Sequence, residues 1–459
     1  MTTEAVSRRQ IYVMFAITTL LCALGSLTQT AMNSMLLGIQ ASFGTTEAIS
    51  QWLTTLYMLL IGITVPLVAH LSRIMSVRQL ILASCILFLL GSVIDWLAPD
   101  FIVLLIGRVP QAIATGITLP VLQTIAMTRF PAGKTGTAMG IAGVAMGFAP
   151  NIGPLIGGAL VGSLGWRSFF VMLVVVLAIL LVCTVAFVPR EKAPAQGARL
   201  DWLSLALSTI GFGGLLLGFT DAARLGFGSA QVIIPLLLGI ACLILFITRQ
   251  LRIEHPLISM EVMRNGTYVA SMVGQCALFA SFMGITLIIP LFVQNICGLS
   301  ALNAGMVFIP ATILAVVFNP LGGILSDKIG ARPVIIGGAA CLTVGAVSMV
   351  FVDAATPLWL LTLMQTIRGI GVSTIIGPFI SWGMAKLPGP LMNDGSTFFI
   401  TLRQSCASFG TALMMLLITN VAIAGFAGAD VLAYQMAFGL SALLSIVVLI
   451  VALWKVRSH

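Results

Sequence analysis

Fourteen apolar runs of 18 to 28 residues are separated by short polar turns along this chain. An α-helix needs about 20 apolar residues to cross a bilayer. The first six runs span Ile11–Leu36, Gln51–His70, Gln79–Leu97, Phe101–Met127, Gly136–Val161 and Ser168–Val188. A polar linker, Pro189–Asp201, precedes two further runs, Trp202–Phe219 and Gln231–Arg249. A second polar linker, Gln250–Asn265, leads into the last six. These are Thr267–Val293, Ala301–Ser326, Pro333–Val352, Pro357–Met384, Ser396–Ile423 and Val431–Trp454. The pattern predicts an all-α polytopic membrane protein with 14 transmembrane helices.

The polar positions set its orientation. Of 22 basic residues, Arg167 and Arg224 fall in turns on one side and Arg108, Arg368 and Arg403 fall within helices. The remaining 17 lie on the other side, which the positive-inside rule makes cytoplasmic, with both termini. All seven tryptophans lie near predicted helix ends, as an interfacial belt requires. The run after Arg8-Arg9 shows no convincing cleavage site and reads as a first spanning helix.

Composition excludes the soluble alternatives. With 59% hydrophobic and 8% charged residues, no soluble fold hides the apolar surface. The net charge of +9 follows from basic inner loops facing an anionic leaflet, not from a nucleic-acid partner. The eight cysteines show no CxxC or CxH spacing and read as small apolar residues, so no metal site is expected. No G-x-x-x-x-G-K-[ST] loop and no nucleophile–base constellation is visible, so neither ATP hydrolysis nor another catalytic activity is expected. Energy must come from an ion gradient or a partner.

The chain repeats. His70–Leu82 (HLSRIMSVRQLIL) parallels Ile324–Ile336 (ILSDKIGARPVII), each between the second and third helices of a six-helix set. In each set an arginine follows early in the fourth helix, at Arg108 and Arg368. The expected organisation is a six-helix bundle over 1–188, a linker with two inserted helices over 189–265, and a second six-helix bundle over 266–459. Paired halves around a central cavity are the build of an alternating-access transporter.

Gly140–Gly158 reads GIAGVAMGFAPNIGPLIGG. Glycines at near-helical spacing let backbones approach closely, and a bilayer tolerates the two prolines. Such a helix is a surface for one half to move against the other; tight packing in any bundle is the alternative. Its core, Gly153, Pro154, Gly157 and Gly158 followed by Trp166-Arg167, resembles the fifth-helix antiporter motif of the major facilitator superfamily. Gly322–Arg332 (GGILSDKIGAR) is similar to that superfamily's cytoplasmic loop motif. There Asp327 would sit at a helix terminus beside Lys328 and Arg332 as an inner latch. In the first half Arg73 takes the aspartate position, with Ala69 and Ser76 for glycines, so that copy reads as degraded.

Four segments resemble the fourteen-helix drug:proton antiporter branch. They are Ser50–Thr55 with Tyr57, the run Ile289–Pro310, Asp201-Trp202, and Arg403-Gln404 within TLRQSCASFGTA. Arg108, in GRVPQ, resembles the fourth-helix R-x-x-Q-G motif with Ala112 for the glycine, and the resemblance implies a role in proton coupling. A structural arginine bonded to carbonyls is the alternative. Arg368 is its repeat partner, and Arg403 reads as near enough to the inner face to snorkel. The branch's first-helix L-D-x-T-x-x-N is Leu27–Asn33 here, with Thr28 in place of the aspartate. Asp95 and Asp221 are the nearest other acids for proton coupling, although their position near the outer interface suits solvated end residues.

A polar, basic cavity is therefore expected. Gln29, Asn33, Gln111, Asn151, Gln275, Gln294 and Gln365 would hydrogen-bond a substrate, with Tyr57, Phe398 and Arg368 beside them. Two arginines and no acid favour neutral or anionic amphiphiles over cations. The reading is a plasma-membrane exporter of small amphiphilic compounds, exchanging them for protons by alternating access. It would be a monomer in the lipid bilayer, with no cofactor and no nucleic-acid partner. The alternative is an uncoupled exporter or facilitator of a specific metabolite or lipid.

Overall fold

The computed structural model describes residues 8–456 other than 51, 132, 192–200, 227, 254–255, 257–258, 300 and 424–428. Among them are fourteen helices of 18 or more residues. The first six are α1 (Arg8–Phe43), α2 (Trp52–Ile74), α3 (Val77–Leu97), α4 (Phe101–Thr128), α5 (Thr135–Leu164) and α6 (Arg167–Phe187). Next come α7 (Trp202–Leu225) and α8 (Ala230–Gln250). The last six are α9 (Gly266–Asn295), α10 (Ile309–Ile329), α11 (Ala331–Ser348), α12 (Leu358–Met384), α13 (Met392–Ile423) and α14 (Ala429–Trp454). Twelve spans among the described residues are long and apolar enough to cross a membrane, which leaves out α5 and α13.

Helix ends follow local chemistry. Ser76 and Gln79 form a reciprocal capping box at the start of α3. Asp100, Ser229 and Asn265 cap α4, α8 and α9. Gly330, with φ +90°, turns the chain from α10 into α11. The run 301–326 is not one helix. A short turn, Ala301–Met306, precedes α10, whose Pro310 falls in the first turn where a missing N–H costs nothing. α13 begins four residues before the predicted start, which brings Asp394 into its first turn. Of the tryptophans, Trp166 and Trp382 are buried, not interfacial.

In the first set, α1 packs on α5, α2 and α3 on α4, and α6 on α3. In the last set, α9 packs on α13 and α14, α10 and α11 on α12, and α14 on α11. The sets meet along two seams. α5 lies against α10 and α12; α13 lies against α2 and α4. The seams correspond helix for helix under the internal repeat. α7 and α8 pair with each other, and α7 also touches α2 and α13 at one edge of a seam.

Candidate functional site

The predicted site residues fall into three groups. The first is a polar network inside the first set. Arg108 on α4 is fully buried, with its guanidinium 4.1 Å from the ring centre of Tyr57 on α2. Its Nε donates to the Leu53 carbonyl at 3.2 Å, and Nη1 donates to Gln111 Oε1 at 2.8 Å. Gln111 Nε2 donates to Ser92 Oγ on α3 at 3.1 Å. The Tyr57 hydroxyl donates to the Gly25 carbonyl on α1 at 3.1 Å and lies 2.6 Å from Thr115 Oγ1. Arg108 Nη2 has no partner.

Asp95 on α3 lies beside this network, against Gly107 of α4. It is not a solvated end residue: it is fully buried, and neither carboxylate oxygen has a hydrogen-bond partner. Gly107 creates the space, because a Cβ there would collide with Asp95 Oδ1. Asp221 lies half-buried in the last turns of α7, well apart from Asp95 in the chain. Thr28, at the position of the missing aspartate, is buried with its hydroxyl unpartnered.

The second group lies in the last set. Arg368 on α12 is fully buried; Nη2 donates to Ser281 Oγ on α9 at 3.2 Å, and Nη1 lies 3.5 Å from Gln365 Oε1. Ser281 in turn meets Ser441 Oγ on α14 at 2.7 Å. Gln275 Nε2 donates to the Ile376 carbonyl at 3.0 Å, leaving its Oε1 without a partner. Phe398 is buried, and so is Arg403, which does not snorkel. The Arg403 guanidinium stacks 4.1 Å from the Phe279 ring centre, and its Nε and Nη1 have no partner. The remaining polar residues do not join either network. Gln29 is half-buried, while Asn33 and Gln294 are exposed, the latter donating to its own helix at Pro290. The side chains of Asn151 and Pro154 lie outside the described residues. A pocket of about 20 Å³, room for one water, separates Gln365 on α12 from Gly147 on α5. The residues expected to line one cavity are divided among separate places in the structure.

The third group closes one end of the seams, the end where the basic residues cluster. The Asp327 carboxylate at the end of α10 accepts from the backbone N–H groups of Gly136 (2.9 Å) and Thr137 (2.6 Å) and from Thr137 Oγ1 (2.5 Å). α5 has no capping side chain of its own, so Asp327 satisfies its free N–H groups from the other set. Lys328 and Arg332 are exposed and make no ion pair with Asp327, so the latch is a carboxylate on a helix terminus and not a charge cluster.

The first-half copy is not degraded. Arg73, at the end of α2, pairs with Asp394 in the first turn of α13 at 2.9 Å and donates to the Pro256 carbonyl at 2.7 Å. Ser259 N–H donates to the same carboxylate at 3.0 Å, and Thr124 on α4 donates to Asn393 at 2.8 Å. At one seam the acid comes from the helix end and meets bare amides. At the other the helix start carries the acid and the helix end supplies the cation. Asp394 falls outside the predicted helix, in the polar turn before it; its place two residues before Ser396, matching the start of α5, was the available signal.

The glycine stretch divides between two partners. A Cβ at Gly140 would meet the Asn319 carbonyl oxygen at 2.5 Å and Gly323 Cα at 3.1 Å, both on α10. Gly136 and Gly143 also face α10. Gly153 and Gly157 instead face α1 in their own set, against Leu27, Thr30 and Ala31, while Gly158 has open space. The antiporter-like core thus packs within its own set, and the glycines before it face the seam.

Residues 15–411 match the Major Facilitator Superfamily. The chain belongs to this family of membrane transporters. It is 33% identical over 396 residues to the uncharacterized MFS-type transporter YcnB of Bacillus subtilis, covering 86% of this chain and 84% of that one. It is 33% identical over 393 residues to the lincomycin resistance protein LmrB of Listeria monocytogenes, covering 85% and 83%. It is 30% identical over 384 residues to the multidrug resistance protein B homolog of Mycobacterium tuberculosis, covering 83% and 71%. In fold it is similar to FucP in the outward conformation, with a TM-score of 0.64 at 14% identity over 98% of this chain and 100% of that one. This is a multi-pass membrane protein of a transporter family, not of an enzyme family, and its bacterial relatives imply the plasma membrane.

Proposed function

We propose that the chain exports small amphiphilic compounds in exchange for protons, as a fourteen-helix member of the drug:proton antiporter branch. Relatives named for lincomycin and multidrug resistance support the export of drugs. All fourteen long helices would span, with the basic end and both termini cytoplasmic and the bundles divided as 1–188, 189–265 and 266–459. The protein would work as a monomer and without a cofactor. Its closed basic end suits a step in which the cavity faces outward.

The observation that carries proton coupling is Asp95. An interior carboxyl group without a hydrogen-bond donor, beside an arginine with a free N–H, can hold a proton in one conformation and release it in another. Movement of α3 against α4 would bring Arg108 Nη2 towards or away from the carboxylate. Asp221, set apart in the inserted pair, is the weaker candidate.

A second reading, uncoupled export of an anionic metabolite, draws on Thr28 and on the excess of buried arginine. Proteoliposomes separate the two. An imposed pH gradient should drive uptake of a lincosamide into inverted vesicles, and an ionophore should abolish it. Asp95→Asn should lose gradient-driven uptake and keep downhill flux. Gradient-independent uptake by the unaltered protein would reject coupling.

A further inference from the structure

Three arginines among the described residues lie buried in the helical sets, and they are not alike. Arg108 and Arg368 spend N–H groups on fixed acceptors of the protein, at Leu53, Gln111, Ser281 and Gln365, and each has one buried nitrogen left over, Nη2 and Nε respectively. Arg403, 4% exposed, leaves Nε and Nη1 with no acceptor. What holds it is the face of Phe279. A guanidinium donates in its own plane and stacks through its face. Stacking therefore fixes the group while leaving its donating edge free. The ion pairs among the described residues are Arg73–Asp394, Arg129–Glu191 and Arg249–Asp201, and none reaches Arg403. The titratable groups within electrostatic range of it are thiols: Cys22, from α1 of the first set, and Cys276 on α9.

Placement matters as much as pairing. α13 is a seam helix, packed against α2 and α4 of the opposite set, and Cys22 on α1 of that set lies within electrostatic range of Arg403. The surroundings combine an aromatic face, sulfur and a preorganised planar donor. That combination matches an apolar molecule ending in a planar or tetrahedral oxyanion, which a guanidinium binds through two parallel hydrogen bonds.

We propose that Arg403 is the anion-binding residue for the acid group of an amphiphilic carboxylate or sulfonate carried by this protein. The inference rests on the exporter reading for the route by which the ligand arrives, since the guanidinium is covered until the seams part. Within the site, Phe279 orients the guanidinium and supports the apolar part of the ligand. Arg108 and Arg368 are tied to protein acceptors through other nitrogens and each keeps one free nitrogen, whereas Arg403 keeps two.

The test measures binding with no gradient present. Purified protein in maltoside is titrated calorimetrically with cholate below its micelle-forming concentration, and with tetraphenylphosphonium as the cationic control. Cholate should bind the unaltered protein, and Arg403→Gln should weaken it roughly thirtyfold or more, as loss of one partner of a buried charge pair does. Arg403→Lys should recover part of the loss, since a single ammonium lacks the paired donors. Cys22→Asp supplies an internal carboxylate within electrostatic range of Arg403. It should block cholate while raising the thermal unfolding midpoint, and it keeps the proposal testable if Arg403→Gln does not fold. Absence of cholate binding, or equal binding in the unaltered protein, Arg403→Gln and Cys22→Asp, would overturn the proposal. Because no gradient is used, that outcome leaves proton-driven drug export standing. Conversely, export that ignores the gradient, with the cholate contrast intact, removes coupling and not the anion site.

Discussion

Asp201 illustrates what one side chain contributes at a helix start. Its carboxylate caps α7 through the N–H groups of Leu203 and Ser204 and pairs with Arg249 at the end of α8, at 2.9 and 3.1 Å. Arg249 and the Ser204 bonds hold its pKa down to about 2 from 3.8. A carboxyl depressed on folding stabilises fully above its unfolded value and loses that contribution as pH falls through the folded one. Asp201→Asn retains a capping residue and removes only the charge. It should lower the unfolding midpoint at pH 7 by the worth of a surface ion pair, at most about 1 kcal/mol. The difference should shrink below pH 4 and vanish near pH 2 in calorimetry across that range. The interior residues were unevenly legible. Arg108 and Arg368 stood out because a charge inside an apolar run has few bland explanations. The burial of Asp95 did not, because it depends on the missing side chain of Gly107 on another helix. Nor did the free edge of Arg403, which depends on the ring of Phe279 across the bundle.

Among the helices, α5 shows how far a motif can be read alone. Its glycines announced close backbone contacts, but periodicity cannot name the partner. The contacts divide between α10 and α1, so substitutions along one helix should have three different outcomes. Gly140→Leu would strike the α10 backbone across the seam and should favour opening at the basic end, with the bundles intact. Gly157→Leu would strike Ala31 within the first set and should lower stability by about 1–3 kcal/mol through overpacking. Gly158→Leu meets nothing and should do neither. Thermal unfolding and the accessibility of Thr137→Cys to a water-soluble maleimide separate the three. Equal effects at 140 and 158 would contradict this division of the helix. The all-helical membrane architecture was legible because most apolar runs are long enough to span by themselves; the expected fourteen spans were not all recovered, since twelve are found among the described residues. Ends were less so: α13 starts in polar sequence, and tertiary pairing of Asp394 with Arg73 supports a turn that hydropathy excludes.

At the scale of the whole molecule, the two seams match helix for helix, the first set's fifth helix meeting the second set's second and fourth, and the reverse. What the repeat could not foretell is that one latch is inverted in sign. Asp327 meets the amides of α5, whereas Arg73 meets an acid at the start of α13. Both favour closure of the same end. If the sets rock as rigid bodies, the seams open together and both latches bias a single equilibrium. Asp327→Asn and Arg73→Ala should each then favour the open form by about 1.5–3 kcal/mol, the worth of hydrogen bonds to a charged group. Their effects should add in free energy, so that the double substitution multiplies the two shifts in population. If each seam opens alone, the double variant instead yields separate populations with one seam closed. Spin labels at Lys134 and Lys328 report the α5–α10 seam, and labels at Ile74 and Asn393 report the α2–α13 seam. Distance distributions that move together in all three variants support rigid rocking. A bimodal distribution at one seam with a single closed distance at the other would reject it.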